Sequence, residues 1–304
     1  MTRPTLFLAL CTLLLLSSCG TTYDLTFRVP EQMSNSYVME STTLSASNVM
    51  GMDVENTMVN NMTYTMKHIG QDPAGNQRLQ MTYDAIQYEQ STMGQQLTYD
   101  SEDPSRTNNP QFEQMYGALL DRPIELIYSD QGQLIEAKGF SEAMDDMLAV
   151  LPEETREAMK NQFGGDAMLQ AMKAMTYYYP QQDKIKIGDS WTVSNQMALG
   201  GMELIIDSEY TLLEVKDGLA KIQMDSEIAT DPDAPGLELM GMKMKFDLQG
   251  TQTGFLFVDQ ASSWLDRMEL DQQMDGFMNM ESDQMGNMKV EMKVESQQLI
   301  RKEE

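Results

Sequence analysis

Residues 202–228 read MELIIDSEYTLLEVKDGLAKIQMDSEI, and their period of two decides the fold class. Met202, Leu204, Ile206, Ser208, Tyr210 and Leu212 share one face of an extended chain, with Glu203, Asp207 and Glu209 on the other. Successive side chains of a strand point to opposite sides of its sheet, so the pattern describes one buried face and one wet face, as in antiparallel sheet. Lys216-Asp217-Gly218 supplies a hairpin turn, with Gly tolerating positive φ. Ala220, Ile222, Met224 and Ile228 carry the apolar face back.

The pattern extends in both directions. Met240, Met242, Met244, Phe246 and Leu248 alternate with Gly241, Lys243, Lys245, Asp247 and Gln249. Trp264, Met268, Leu270 and Met274 continue it. Met288, Val290, Met292 and Val294 end it, opposed by Lys289, Glu291, Lys293 and Glu295. Towards the N-terminus, Tyr23, Leu25, Phe27 and Val29 alternate, and further strands are expected at about 37–50, 52–68, 77–89 and 93–100, with Asp72–Asn76 as a turn. Several runs exceed ordinary strand length, which favours strong bending over a flat layer.

The middle changes period. Ser101–Pro110 is a polar loop, Phe112–Leu120 a short helix, and Ile124–Tyr128 with Leu134–Lys138 a small hairpin. From Ser141, a candidate N-cap, to Tyr177 the spacing is helical, with a break at Gly164-Gly165 and a cap at Asp166. Tyr177-Tyr178-Tyr179-Pro180 closes this insert against the sheet. The expectation is a β-rich α+β fold, in which long antiparallel strands form a strongly curved sheet or partly closed barrel with a helical insert at about 141–177. Residues 19–304 form one domain.

Composition excludes several functions. The 304 residues include 47 acidic and 21 basic side chains, giving a formal charge of −26, which repels nucleic acid. One His and two Cys leave no material for zinc, haem or dithiol chemistry. His68 reads as a surface or hydrogen-bonded residue, no Gly-Xaa-Ser-Xaa-Gly elbow is present, and no phosphate or dinucleotide loop is found. The expectation is a protein without catalytic activity, cofactor or metal.

Residues 1–18 have a basic start at Arg3, an apolar run from Leu6 to Leu16, and then Leu16-Ser17-Ser18-Cys19. The run is too short to span a bilayer but suits a signal peptide. Its end resembles the lipobox of bacterial lipoproteins. That resemblance implies cleavage before Cys19, lipidation of its thiol and acylation of the new N-terminus. Each buried methylene contributes about 0.8 kcal/mol, so three chains make a durable anchor. By the same resemblance Gly20 carries no inner-membrane retention signal, which implies the outer membrane, and no acidic export cluster directly follows Cys19, which implies its periplasmic face.

Methionine is unusually frequent, at 30 residues. Thioethers are adaptable apolar filler, and here they occupy positions where Leu or Val would sit. Candidate ligand-lining residues are Met202, Leu204, Met240, Met242, Met244, Phe246, Trp191, Met288 and Met292. Soft Cu(I) ligation and reversible oxidation to sulfoxide are the alternative uses of such side chains.

Lys184-Ile185-Lys186-Ile187-Gly188-Asp189-Ser190-Trp191, followed by the long hairpin with Asp217-Gly218 at its tip, resembles a group of uncharacterised lipoproteins from Bacteroidota. The resemblance implies a lipobox, an N-terminal sheet, a helical middle and meandering strands, with no assigned activity to carry over. The leading functional expectation is non-catalytic binding of a lipid or other apolar ligand in a Met-lined cavity, with the membrane engaged through the N-terminal lipid. The alternatives are an envelope scaffold recruiting a protein partner, and Met-based copper or oxidant buffering.

Overall fold

A computed structural model describes residues 21–303 except 50, 154, 155, 157–159, 161–168, 171, 174, 175, 183, 200, 201, 235, 240, 241 and 283–285. The chain forms strands β1 (Ser34–Val49), β2 (Met52–Gln71), β3 (Gln77–Thr92), β4 (Gln95–Asp100), β5 (Ile124–Tyr128), β6 (Leu134–Lys138), β7 (Ser190–Leu199), β8 (Met202–Lys216), β9 (Leu219–Thr230), β10 (Leu237–Leu239), β11 (Met242–Asp259), β12 (Leu265–Ser282) and β13 (Gly286–Lys302). Helices α1 (Pro110–Gly117) and α2 (Phe140–Leu148) follow β4 and β6.

All thirteen strands belong to one antiparallel sheet, ordered β6-β5-β3-β2-β1-β13-β12-β11-β9-β8-β7, with β4 on β3 and β10 on β11. Neighbours in sequence are mostly neighbours in the sheet, joined by tight turns. At the β8–β9 tip, Asp217 and Gly218 both take positive φ, 51° and 83°, which matches the twist of a hairpin. Besides β3 with β5 and β9 with β11, which each skip one short strand, β1 pairs along most of its length with β13 and so joins the two halves of the chain.

The sheet is open but strongly curved. Tyr128 on β5 and Trp264 just before β12 are separated by five strand positions, about 24 Å if the sheet were flat. Their ring centroids lie 6.1 Å apart. Glycines mark a close approach of two strands. A Cβ on Gly250 would meet Met274 Cα at 2.7 Å and the Gln273 carbonyl carbon at 2.8 Å, so β11 and β12 approach more closely there than a side chain allows.

The end of the sheet carrying the 217–218 and 260–264 turns is filled. Residues 21–33 do not join the sheet as the alternation at Tyr23–Val29 predicts. Apart from one bridge between Tyr23 and Ile185, and the Met33 carbonyl accepting from the His68 N–H of β2, they run as an unpaired strap. The apolar half of the pattern is still obeyed: Leu25 and Phe27 are buried. Phe27 sits among Tyr128, Tyr179 and Trp264, with ring centroids 5.4–5.8 Å away. Tyr178 and Tyr179 are buried in the same cluster, closing the insert on the sheet as expected.

Three local expectations are corrected. Helix α2 starts at Phe140 after Gly139 (φ 82°) instead of being capped by Ser141, because only the left-handed Gly lets the chain leave β6 and enter the helix directly. Helix α1 starts two residues earlier than expected, at Pro110, where Asn109 caps it by accepting from the Gln111 N–H. Trp264 lies in the turn before β12 and not within the strand. The described residues between Glu153 and Thr176 are helical. Gly164, Gly165 and Asp166 lie outside the described residues.

Candidate functional site: the charge-free inward face

Register places opposed residues of neighbouring strands on the same face, so the inward surface can be followed row by row. One row holds Trp191, Tyr210, Met224, Gly254, Leu270, Gln298, Ser41, Asn60, Tyr88 and Tyr99, from β7 across to β4. This row borders the filled end. The Trp191 ring stacks on Tyr210 at 5.7 Å, and its Nε1–H donates to the Tyr178 carbonyl at 3.0 Å. The preceding turn is locked to β8: Gly188 N–H donates to Leu212 O at 2.7 Å, and Leu212 N–H donates back to Asp189 O at 3.1 Å. The Gly-Asp-Ser-Trp element is therefore a structural anchor, with Trp191 facing the filled core and away from the open end.

The next row is polar: Val193, Ser208, Ser226, Gln252, Gln272, Ser296, Thr43, Met58, Gln90 and Leu97. Ser208 and Ser226 are buried and share a hydrogen bond of 2.8 Å, and the Thr43 and Ser296 hydroxyls share one of 3.1 Å. This belt divides the inward face into two apolar clusters. Beyond it, Met197, Leu204, Ile228, Leu248 and Met274 form a second buried cluster, with Met202, Ile206, Phe246, Met292 and Val294 packed against it.

Further out, Phe246, Met278 and Val290 are aligned across β11–β13, and Met244, Met280 and Met288 form the row beyond them. Met242, Met244, Met278, Met280, Met288 and Met292 are all half-buried. The candidate residues Met202, Leu204, Met242, Met244, Phe246, Met288 and Met292 thus share one end of one face. Trp191 lies beyond the polar belt, apart from them. Met240 and Cys19 lie outside the described residues.

The sequence reading expects a cavity; among the described residues this face is closed by the second cluster near the belt and half-buried further out. Two small hollows hold about 50 Å³, beside Asp100 and Arg106, and about 10 Å³, beside Met202, Thr230 and Phe246. A small-molecule chamber needs several hundred Å³. The filled end is occupied by the strap, the β5–β6 hairpin, α2 and the Tyr178-Tyr179 pair.

Charge is segregated completely. From the Trp191 row to the far turns, every described inward position is apolar or a neutral polar residue. The outward positions of the same strands carry Asp207, Glu209, Asp225, Lys243, Lys245, Asp247, Asp271, Asp275, Lys289, Glu291 and Lys293. Outward aromatics carry cations: Lys289 Nζ lies 3.6 Å from the Phe277 ring centroid, and Arg267 lies 4.0 Å from that of Phe257. Burial pushes the Tyr210 phenol up to about 12, and Ser208 hydrogen bonding opposes this only in part. The row at the floor of the face therefore stays neutral at ordinary pH.

His68 is hydrogen-bonded through both ring nitrogens, Nδ1 to Glu31 O and Nε2 to Gln77 Oε1, each at 3.1 Å. Among the described residues no three His, Cys, Asp or Glu side chains converge as metal ligands.

Residues 74–265, which include the Gly188–Trp191 turn and the 202–230 hairpin, match a family of unknown function, DUF6263. The chain belongs to that family. No curated protein matches it. Among solved structures, this DUF6263 member is similar to one described as lipid-protein interactions in lipovitellin, at 10% identity and a TM-score of 0.48, with 91% of this chain and 25% of that chain covered. The DUF6263 chain thus spans about a quarter of the lipovitellin chain. It is also similar to a putative outer membrane lipoprotein-sorting protein domain from Vibrio parahaemolyticus (8% identity, TM-score 0.15, 89% and 84% covered). A DUF1329 family protein from Desulfovibrio piger gives 9% identity and a TM-score of 0.14, with 89% and 85% covered. Likenesses this distant carry no argument about function, which rests on the face itself.

Proposed function

We propose that this protein is a non-catalytic lipid-binding lipoprotein of the cell envelope, anchored through Cys19 to the periplasmic side of the outer membrane, with the inward face beyond the polar belt as its binding surface. The observation that supports this is the segregation of charge in a chain of net charge −26. A surface whose only task is to be wetted carries charge on both sides. Here one side of a long curved sheet, from the Trp191 row to the far turns, carries none among the described residues, and it is lined by thioethers that adapt to varied apolar partners. General acid–base chemistry needs a titratable group at the reacting atom, and this face offers only high-pKa phenols. The reading is therefore binding without chemistry.

The test is a titration of delipidated protein with an uncharged, polarity-sensitive dye, paired with native mass spectrometry of protein from its own membrane. The reading expects saturable, blue-shifted binding, co-purifying lipid, and loss of both in Met280→Glu. Non-saturable binding, or binding unchanged by that substitution, would overturn it.

A second reading has an observation of its own. Met244, Met280 and Met288 stand opposite one another on three adjacent strands, a soft donor set suited to Cu(I). Anaerobic competition with a Cu(I) chelator should reveal a site that Met280→Leu abolishes if this reading holds.

A further inference from the structure

The polar belt crosses the inward face where the filled core gives way to the open, Met-lined end. At its centre Gln252 and Gln272 are directly opposed on β11 and β12, with side chains about 5 Å apart at Cβ. Both are half-buried. The other polar members are satisfied in pairs: Ser208 with Ser226, and Thr43 with Ser296. Gln90 accepts from the Tyr88 hydroxyl and donates to Asn56. Gln272 makes only a weak contact, its Nε2 to the Met274 sulfur at 3.2 Å. Among the described residues, the Gln252 carboxamide has no hydrogen-bond partner.

Two carboxamides thus present two carbonyl acceptors and four N–H donors to the base of an apolar field. The field is long. From Gln252 to Met244 the strand advances eight residues, about 27 Å, whereas one leaflet of hydrocarbon is about 15 Å thick. Every other inward position in this field is free of charge, so an anionic headgroup brought to the belt would meet no cation.

We infer that Gln252 and Gln272 form the recognition point for the neutral polar end of an acyl lipid — an ester, amide or hydroxyl group without phosphate — whose chain then runs outward to the half-buried Phe246 and Met244 positions. The inference rests on the proposed lipid-binding reading and adds to it the orientation and class of the ligand. An amide can donate to an ester carbonyl and accept from a glycerol hydroxyl in the same geometry. A phosphate there would be desolvated without compensation.

The test displaces an uncharged dye from the intact protein with three competitors of equal chain length: a monoacylglycerol, its lysophosphatidic acid counterpart and the alkane. Wild type should favour the monoacylglycerol about tenfold over each of the others. Gln252→Leu/Gln272→Leu should reduce the preference over the alkane to about onefold while still binding the dye. Gln249→Leu, on the outward side of the same strand, should change nothing. Gln252→Met alone, which preserves volume, should show an intermediate preference and keeps the test open if the double variant does not fold. A preference that survives these inward substitutions, or lysophosphatidic acid bound as tightly as the monoacylglycerol, would overturn the inference while leaving apolar binding intact. Failure of any dye or alkane to bind wild type would instead refute the lipid-binding reading.

Discussion

Gly250→Ala offers a direct test of the bend that gives the inward face its shape. The new Cβ would lie 2.7 Å from Met274 Cα, 2.8 Å from the Gln273 carbonyl carbon and closer still to the Gln273 carbonyl oxygen. Carbon atoms rest at about 3.5–4.0 Å and the carbonyl oxygen is nearer still, so β11 and β12 must part by more than about 1 Å. The obstructing atoms are backbone and cannot rotate away. Forcing a methyl into such a site costs about 1–3 kcal/mol, offset by about 0.5–1 kcal/mol from the smaller entropy of the unfolded Ala chain. Immovable backbone puts the cost at its upper end, so a net loss of about 2–2.5 kcal/mol lowers the Tm of a chain this size by about 4–10 °C. Gly117→Ala is the matched control. It lies in α1 without positive φ and has no neighbour within 4 Å of its added Cβ. It should gain about 0.4–1 kcal/mol and raise the Tm slightly. Calorimetry on both variants reads the sign. A Gly250→Ala protein as stable as wild type, or more so, would refute the close approach of β11 and β12.

Other outcomes follow from the same structure. Mild peroxide should oxidise Met52 and Met93, 59% and 71% exposed, well before Met274 and Met224, 3% and 5% exposed, with peptide mapping as the readout. Bound lipid should slow sulfoxide formation at the half-buried Met244, Met280 and Met288. Hydrogen bonds from Arg78, with its charge and that of Lys138, hold the Glu125 carboxyl below its ordinary value. The stability it contributes is present above about pH 4.5 and is lost as pH falls through its folded pKa, so Glu125→Gln should flatten the acid limb of a denaturant-midpoint profile. Burial raises the phenols of Tyr37, Tyr64, Tyr128, Tyr178 and Tyr210. Their protons are retained by the folded chain and lost by the unfolded one above about pH 10. Stability should therefore fall as pH rises from about 10, and ultraviolet titration of the folded protein should show delayed phenolate formation.

The strand alternation was legible because each strand buries one face, and the 202–230 hairpin follows its pattern almost residue by residue. The β5–β6 hairpin has the expected bounds for the same reason. The strap shows the limit of that signal. Leu25 and Phe27 are buried in period with the sequence, yet periodicity reports which side chains face the core and not whether the backbone finds a partner. The pairing of β1 with β13 joins residues more than two hundred positions apart, and nothing local encodes it. The polar belt is a further case. Ser208, Ser226, Gln252 and Gln272 each occupy an inward position where a hydrophobe is expected, a signal visible in the sequence as four separate interruptions. Only register shows that they lie side by side. The Met-rich runs were recognisable as one apolar face, but whether that face enclosed a cavity depended on the curvature of the sheet and on how far the middle of the chain filled it. Trp191, a candidate for the ligand-lining set, packs on Tyr210 and donates to the Tyr178 carbonyl, at the filled core and not at the open end.

The measurement closest to the central claim is methyl NMR of isotope-labelled methionine with a doxyl-labelled neutral acyl lipid. If the inward face holds the chain, the methyl signals of Met244, Met280, Met288 and Met292 broaden together at low lipid ratios, while that of Met93, exposed in the β3–β4 turn, stays sharp. Broadening confined to Met93, with the inward methyls untouched, would contradict the account.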